Sequence, residues 1–218
     1  MTLLEAIPLR HSVRRYTDRP LPPESVEILR REALKASQSC GVDFQLVVDE
    51  PKAYSGIMSY GKFSGVRNYF VVAAPRGARY DELAGYYGER LVLLAQTLGL
   101  NTCWTGLSYR KVKEAWSLRH GDRIVCLIAL GYGETQGKPH KIKGVEQVSN
   151  AGPDTPEWFR SGVEAALLAP TAINQQKFYF TYHADGRVTA EPRFSLAGYT
   201  HVDLGIVRLH FDLATANR

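Results

Sequence analysis

No run in this 218-residue chain approaches the roughly 20 apolar residues of a membrane span, so no membrane-spanning helix is expected. The opening stretch, Met1 to Arg10, lacks a basic region followed by a long apolar one, so a signal peptide is not expected either. Cysteine is scarce: Cys40, Cys103 and Cys126 form no CxxC pair and cannot all pair. That argues against a disulfide framework and makes the cytoplasm the expected compartment. Cys103 has no base near it in sequence and reads as packing rather than as a nucleophile. The six histidines (11, 120, 140, 183, 201 and 210) show no metal-ligand spacing, so no metal site is expected. Gly131-Tyr132-Gly133 lacks the third glycine and following helix of a dinucleotide fingerprint and reads as a turn.

What the chain does have is ordinary soluble-protein composition, 44% hydrophobic and 22% charged, with length enough for one sizeable core or two small lobes sharing it. The net charge is +5, concentrated at Arg10, Arg14, Arg15 and Arg19 and in the run "KPHKIK" from Lys138 to Lys143. Neither cluster is interleaved with aromatics as a base-stacking platform would be, so nucleic-acid binding is not expected, whereas a small anionic ligand fits.

Periodicity organises the rest. Pro22-Pro23-Glu24 predicts a helix start, followed by Val26, Leu29, Ala33 and Ala36 at helical spacing. Residues 44–48 and 69–74 predict strands, and Leu91, Leu94, Ala95 and Leu98 predict a helix from about Tyr87 closed by Gly99. Residues 123–133 predict a buried strand running into a glycine turn. After a polar connector come a helix over 158–168, a hairpin turning at Asp185-Gly186, and a last helix from about Asp203 to Ala214. This irregular alternation predicts an α+β fold with a mixed sheet. Two stretches begin with LAGY, at Leu83 and Leu196, and each leads into an apolar helix; residues 33–48 and 166–182 share an order of helix end, small-residue turn and strand. The repeated order predicts an internal duplication.

Three segments carry candidate chemistry. In "RHSVR", residues 10–14, an extended backbone aims Arg10, Ser12 and Arg14 the same way, an arrangement suited to a phosphate monoester; read alone, the segment is equally a solvated basic turn. "LLAPTAINQQ", residues 167–176, offers backbone groups and amides that can edge a flat heterocycle, or a plain helix C-terminus with a polar loop. "LGLNTCWTG", residues 98–106, reads as a helix end followed by a small-residue turn, where the N–H groups of Thr105 and Gly106 can approach a ligand, or as an ordinary cap over a buried Trp104.

Together these segments resemble the flavin-dependent nitroreductase family. RHSVR resembles its R-x-S-x-R motif, APTAINQQ its A-P-S-A-x-N-x-Q-P turn, LGLNTCWTG its L-G-L-x-T-C-W-x-G segment and IALGYG its L-G-Y strand end. The resemblance implies a nitroreductase-like α+β fold, mainly antiparallel and flanked by helices, and FMN as cofactor with NADH or NADPH as electron donor. It implies that Arg10, Ser12 and Arg14, with His11 among them, bind the FMN phosphate, helped by Lys141 and Lys143. Pro170, Thr171, Ala172 and Asn174 would line the isoalloxazine ring. Backbones of Thr105 and Gly106 would reach its N5 and O4, and Lys62 would lie near N1 and O2. The flavin carries the chemistry, so no catalytic acid or base is assigned. Acceptors would be nitroaromatic, quinone-like or otherwise conjugated small molecules, with Tyr60, Phe63 or Trp104 as candidate stacking residues. The alternative is a non-catalytic flavin-binding carrier or sensor on the same fold.

The chain also departs from the family pattern. Where the A-P-S-A turn normally follows the first long helix stands Ala36-Ser37-Gln38-Ser39-Cys40; the intact turn comes in the second repeat, which lacks R-x-S-x-R. Lys177 replaces the proline after the motif's glutamine. The expectation is two pseudo-symmetric halves, 1–148 with the phosphate cradle and 149–218 completing the site. Such a chain would be a monomer acting as a pseudo-dimer with one FMN, further dimerisation being left open.

Overall fold

The computed structural model describes residues 1–55, 59 and 62–216. In chain order the elements are α1 (Leu3–Ala6), α2 (Pro23–Cys40), β1 (Asp43–Val47), β2 (Asn68–Ala74), α3 (Ala78–Thr97), β3 (Asn101–Thr105), β4 (Arg123–Gly131), α4 (Val145–Val148), α5 (Glu157–Leu167), β5 (Phe178–Tyr182), β6 (Val188–Pro192) and α6 (Thr200–Thr215). Four strands form an antiparallel sheet in the order β1-β2-β4-β3, and β5 and β6 form a separate antiparallel hairpin. The fold is α+β, as the sequence predicts.

The central strands read as unbroken apolar runs because both faces of the sheet are covered. Phe70, Val72, Cys126, Ile128 and Leu130 point into the main core, with α2, α3, α5 and α6 residues such as Leu29, Leu91, Phe159 and Phe211. Alternate residues Tyr69, Val71, Leu127 and Ala129 point into a second cluster with Val13, Tyr16, Tyr54 and Val112. A period of two is present, but it sorts apolar residues between two cores rather than apolar from polar.

Helices α3 and α6 cross closely. A Cβ on Gly85 would lie 2.0 Å from the Val202 carbonyl oxygen, and one on Gly205 would lie 1.9 Å from that of Glu82. Each glycine thus meets the residue three before the other, so the contact is reciprocal and excludes any side chain at either position. The element order helix–strand–strand–helix occurs twice, as α2-β1-β2-α3 and as α5-β5-β6-α6.

The two LAGY tetrapeptides, however, occupy different settings. Residues 83–86 lie inside α3, which starts at Ala78 rather than near Tyr87, whereas 196–199 precede α6. The early turns of α3 carry Arg79, Asp81 and Glu82, whose polarity hides the helix from an apolar-periodicity reading. The other difference is β3, where the sequence reads a cap and turn. Its Asn101 and Thr102 are buried polar residues. Asn101 Oδ1 accepts from the Gly133 N–H at 2.9 Å and its Nδ2 donates to Gln136 Oε1 at 2.9 Å. Such residues satisfy themselves only in the assembled fold and give no local strand signal.

Candidate functional site

The segment after α1 is extended, as its sequence predicts. It runs beside β3, where the Val13 N–H donates to the Thr102 carbonyl at 3.0 Å, and then bridges Arg15 to Ser64 and Tyr16 to Gly133. Val13 and Tyr16 are buried beneath it. Ser12 and Arg14 face the other way, into a cleft of about 630 Å³. The same cleft is lined by Pro170, Thr171, Ile173 and Asn174, and by Lys138 and His140. The two segments are over 150 residues apart in sequence.

Arg10 is the exception. It follows α1, its N–H donating to the Ala6 carbonyl at 3.0 Å, and its side chain turns inward, only 3% exposed. The guanidinium Nη2 donates to the Leu168 carbonyl at 3.3 Å, and Nε lies 3.6 Å from Glu89 Oε1. It therefore underlies the cleft rather than lining it. Burial, with the Arg10 charge added, holds the imidazoles of His11 and His140 below their ordinary range.

The turn from 170 to 176 is held by many small bonds and is strained. Thr171 Oγ1 accepts from the Gln176 N–H at 3.0 Å, and the Ala172 N–H donates to Asp203 Oδ1 at 2.9 Å. Asn174 Nδ2 donates to the Lys141 carbonyl at 2.8 Å, while its Oδ1 accepts from Gln176 Nε2 at 2.9 Å. Ile173, Asn174 and Gln176 all have left-handed backbones, with φ of 47°, 56° and 46°. A β-branched residue there costs on the order of 1–3 kcal/mol, a kind of strain that concentrates at functional sites. Ile173 is nevertheless 85% exposed, so packing does not explain its presence.

Comparison with protein families decides what this scaffold is: the family described as "Putative TM nitroreductase" matches residues 2–215. The chain belongs to this nitroreductase family. Comparison with curated proteins returns no match. Among solved structures, a "putative nitroreductase" from Thermotoga maritima MSB8 is 23% identical, with a TM-score of 0.69, covering 98% of this chain and 83% of that one. A "Putative NADH dehydrogenase/NAD(P)H nitroreductase" from Bacteroides thetaiotaomicron is 22% identical with a TM-score of 0.54, and covers 67% of this chain and 95% of the other. A "putative nitroreductase in complex with FMN" from Desulfovibrio desulfuricans is 17% identical with a TM-score of 0.52, and covers 71% of this chain and 99% of the other. At these identities the likeness is one of fold.

Within this nitroreductase-family chain the remaining expected residues take varied places. Thr105 ends β3 with its hydroxyl donating to the Cys103 carbonyl and accepting from Tyr54 OH, at 3.3 and 3.2 Å. Gly106 follows, its carbonyl accepting from Tyr199 OH at 3.1 Å; a Cβ there would strike the Tyr199 ring at 2.7 Å. The end of β3 is thereby fastened to the start of α6. Lys143 Nζ donates to the carbonyls of Gln175 and Gln176 at 3.0 and 2.8 Å, so it braces the strained turn and does not line the cleft. Burial depresses its ammonium. Lys141 contributes its carbonyl to Asn174 and Gln176, its side chain being exposed. Lys62 is exposed on the segment before Ser64, outside the cleft lining.

Of the candidate stacking residues, Phe63 packs on Tyr54 at 5.1 Å and Trp104 is bonded inside the fold, while Tyr60 lies outside the described residues. Cys103 is buried and its thiol pushed up by that burial, which fits packing. Among the described residues there is no group of side chains fit to hold a metal, and no helix is long and apolar enough to cross a membrane.

Sequence reasoning did not single out His140, Gln176, Tyr199 or Asp203. The sequence offers His140 only within a basic run and as one of six histidines without metal-ligand spacing. Asp203 looks like an ordinary acidic residue in a first helical turn.

Proposed function

We propose that this chain is an FMN-dependent NAD(P)H oxidoreductase of nitroreductase type, acting on nitroaromatic, quinone-like or other conjugated small molecules. The observation that carries this reading is the meeting of Ser12 and Arg14 with Pro170, Thr171 and Asn174 in one cleft. A hydroxyl, a guanidinium and the nearby Lys138 suit a phosphate monoester, because arginine can offer it forked charge-assisted donors. The cleft volume falls within the roughly 300–1,000 Å³ usual for cofactor sites. The donor chemistry therefore fits FMN. Ser12, Arg14 and His11, above the buried Arg10, would hold the phosphate. Pro170, Thr171, Ala172 and Asn174 would flank the ring, with the Thr105 and Gly106 backbones and Lys62 at its polar edge. Lys141 and Lys143 serve the site by bracing the turn. When bound, FMN would supply the two-electron redox chemistry, hydride transfer from NADH or NADPH to the acceptor.

We read the chain as two fused halves, 1–148 and 149–218, sharing one cofactor. The repeated element order and the reciprocal glycine crossing support this. So does coverage: the Bacteroides and Desulfovibrio chains are covered almost end to end while spanning 67% and 71% of this one. Incubation with FMN followed by desalting is expected to leave one flavin per chain. Anaerobic NADH or NADPH is expected to bleach its visible band. A folded protein that retains no flavin overturns the reading, and retained flavin that neither nucleotide reduces leaves a binding protein without turnover.

A further inference from the structure

Beneath the cleft lies a buried polar network that the functional reading does not use. Glu89, in α3, and His210, in α6, are both 0% exposed. Trp104 Nε1 donates to Glu89 Oε2 at 2.8 Å, while His210 Nε2 lies 3.1 Å and Arg10 Nε 3.6 Å from Glu89 Oε1. His210 Nδ1 donates to the Ala165 carbonyl at 3.1 Å, and Arg10 Nη2 donates to that of Leu168. One carboxylate thus joins the N-terminal segment, β3 and α6 directly, and the end of α5 through Arg10 and His210.

As a stability device this network is poor. A buried ion pair is often replaceable by apolar side chains at no loss, and a partly satisfied network is worse than none. Here Arg10 Nε is buried without a hydrogen-bond partner among the described residues. Both ring nitrogens of His210 face acceptors, the Ala165 carbonyl and the Glu89 carboxylate. Burial works against the Arg10 charge more than the nearby Glu89 carboxylate restores it.

What the network does supply is position. Arg10 is two residues before Ser12, Trp104 immediately precedes Thr105 and Gly106, and Leu168 is two residues before Pro170. All three cofactor-facing segments are therefore tied within a residue or two of where they would meet FMN.

We propose that Glu89 is a positioning residue for the cofactor cleft: through Arg10 and Trp104 it sets the spacing of the phosphate-binding segment, the end of β3 and the 170–176 turn. The inference rests on the FMN reading above. Glu89→Gln keeps the shape and an acceptor for Trp104 but removes the charge facing Arg10; Trp104→Phe removes the indole donor together with the part of the ring packed beside Gly88. Each is measured by far-UV circular dichroism, FMN titration and the visible circular dichroism of bound flavin. The expected result for Glu89→Gln is a native far-UV spectrum, an FMN Kd raised about tenfold or more, and an altered visible flavin spectrum. Trp104→Phe is expected to raise Kd about threefold with a spectral change of the same kind. A Glu89→Gln protein that melts lower yet binds FMN within about twofold of the parent, with an unchanged flavin spectrum, overturns the proposal and leaves Glu89 a structural residue. Should that variant not fold, Trp104→Phe decides alone, unchanged Kd and spectrum being the overturning result. A parent protein that takes up no FMN overturns the functional reading first and this inference with it, whatever the variants do.

Discussion

Asp203 shows how a single side chain is set by its surroundings. Its carboxylate accepts from the Ala172 N–H at 2.9 Å and from Gln175 Nε2 at 2.6 Å, both of which favour the charged form. Burial outweighs them, and the pKa rises from 3.8 to about 6. Because the folded value lies above the unfolded one, the protonated form favours folding. The contribution is fully present below about pH 3.8 and lost as pH rises through about 6. It is worth roughly 3 kcal/mol over that window. Urea unfolding of Asp203→Asn and the parent from pH 3.5 to 7.5 is therefore expected to show the variant gaining up to about that much relative to the parent as pH rises. A pH-independent difference would mean that Asp203 does not titrate there. None of this is legible in the sequence, where Asp203 is one acidic residue at a helix start; its character comes from the turn at 172–175, some 30 residues away.

At the scale of elements, the crossing of α3 and α6 joins the two helix–strand–strand–helix units. It depends on backbone touching backbone at Gly85 and Gly205. Gly85→Ala puts a methyl 2.0 Å from the Val202 carbonyl, and the helices must part to admit it. The expected loss is about 3 kcal/mol, or roughly 6–12 °C in Tm. Gly152→Ala, where the nearest atom is the Asn150 carbonyl oxygen at 4.0 Å, is the control and is expected to change stability by less than about 0.5 kcal/mol. Equal, small effects in differential scanning calorimetry would mean that the crossing relaxes easily. Here the sequence is half legible. The LAGY match pairs Gly85 with Gly198, whereas the structure pairs it with Gly205, seven residues on. Seven residues are close to two helical turns, so a shift by that amount preserves a helix face and an apolar pattern alike.

At the scale of the whole molecule, the proposed reading of two fused halves sharing one flavin means that the halves would find each other at an effective concentration that dilution cannot lower. The FMN-loaded protein is accordingly expected to sediment as a monomer of about 24.3 kDa and to keep its flavin on dilution. Flavin that is lost in step with dissociation of a dimer would place the site between two chains instead.

The sequence alone determined the helices and strands whose apolar periodicity is local: α2, α5, α6, the two central strands and the hairpin at Asp185-Gly186. It also pointed to the RHSVR and APTAINQ segments, because an extended basic stretch and a proline-bounded turn are written in consecutive residues. Only the tertiary structure decided that these two segments share a cleft, that Arg10 turns inward to Leu168 and Glu89, and that Lys143 braces a turn. It also revealed β3, whose polar residues are satisfied by partners some 30 residues away. The physical reason is the same in each case. Periodicity and turn chemistry act over a few residues, whereas burial of a charge, pairing of a strand edge and contact between helix backbones depend on groups that only folding brings within a few ångströms.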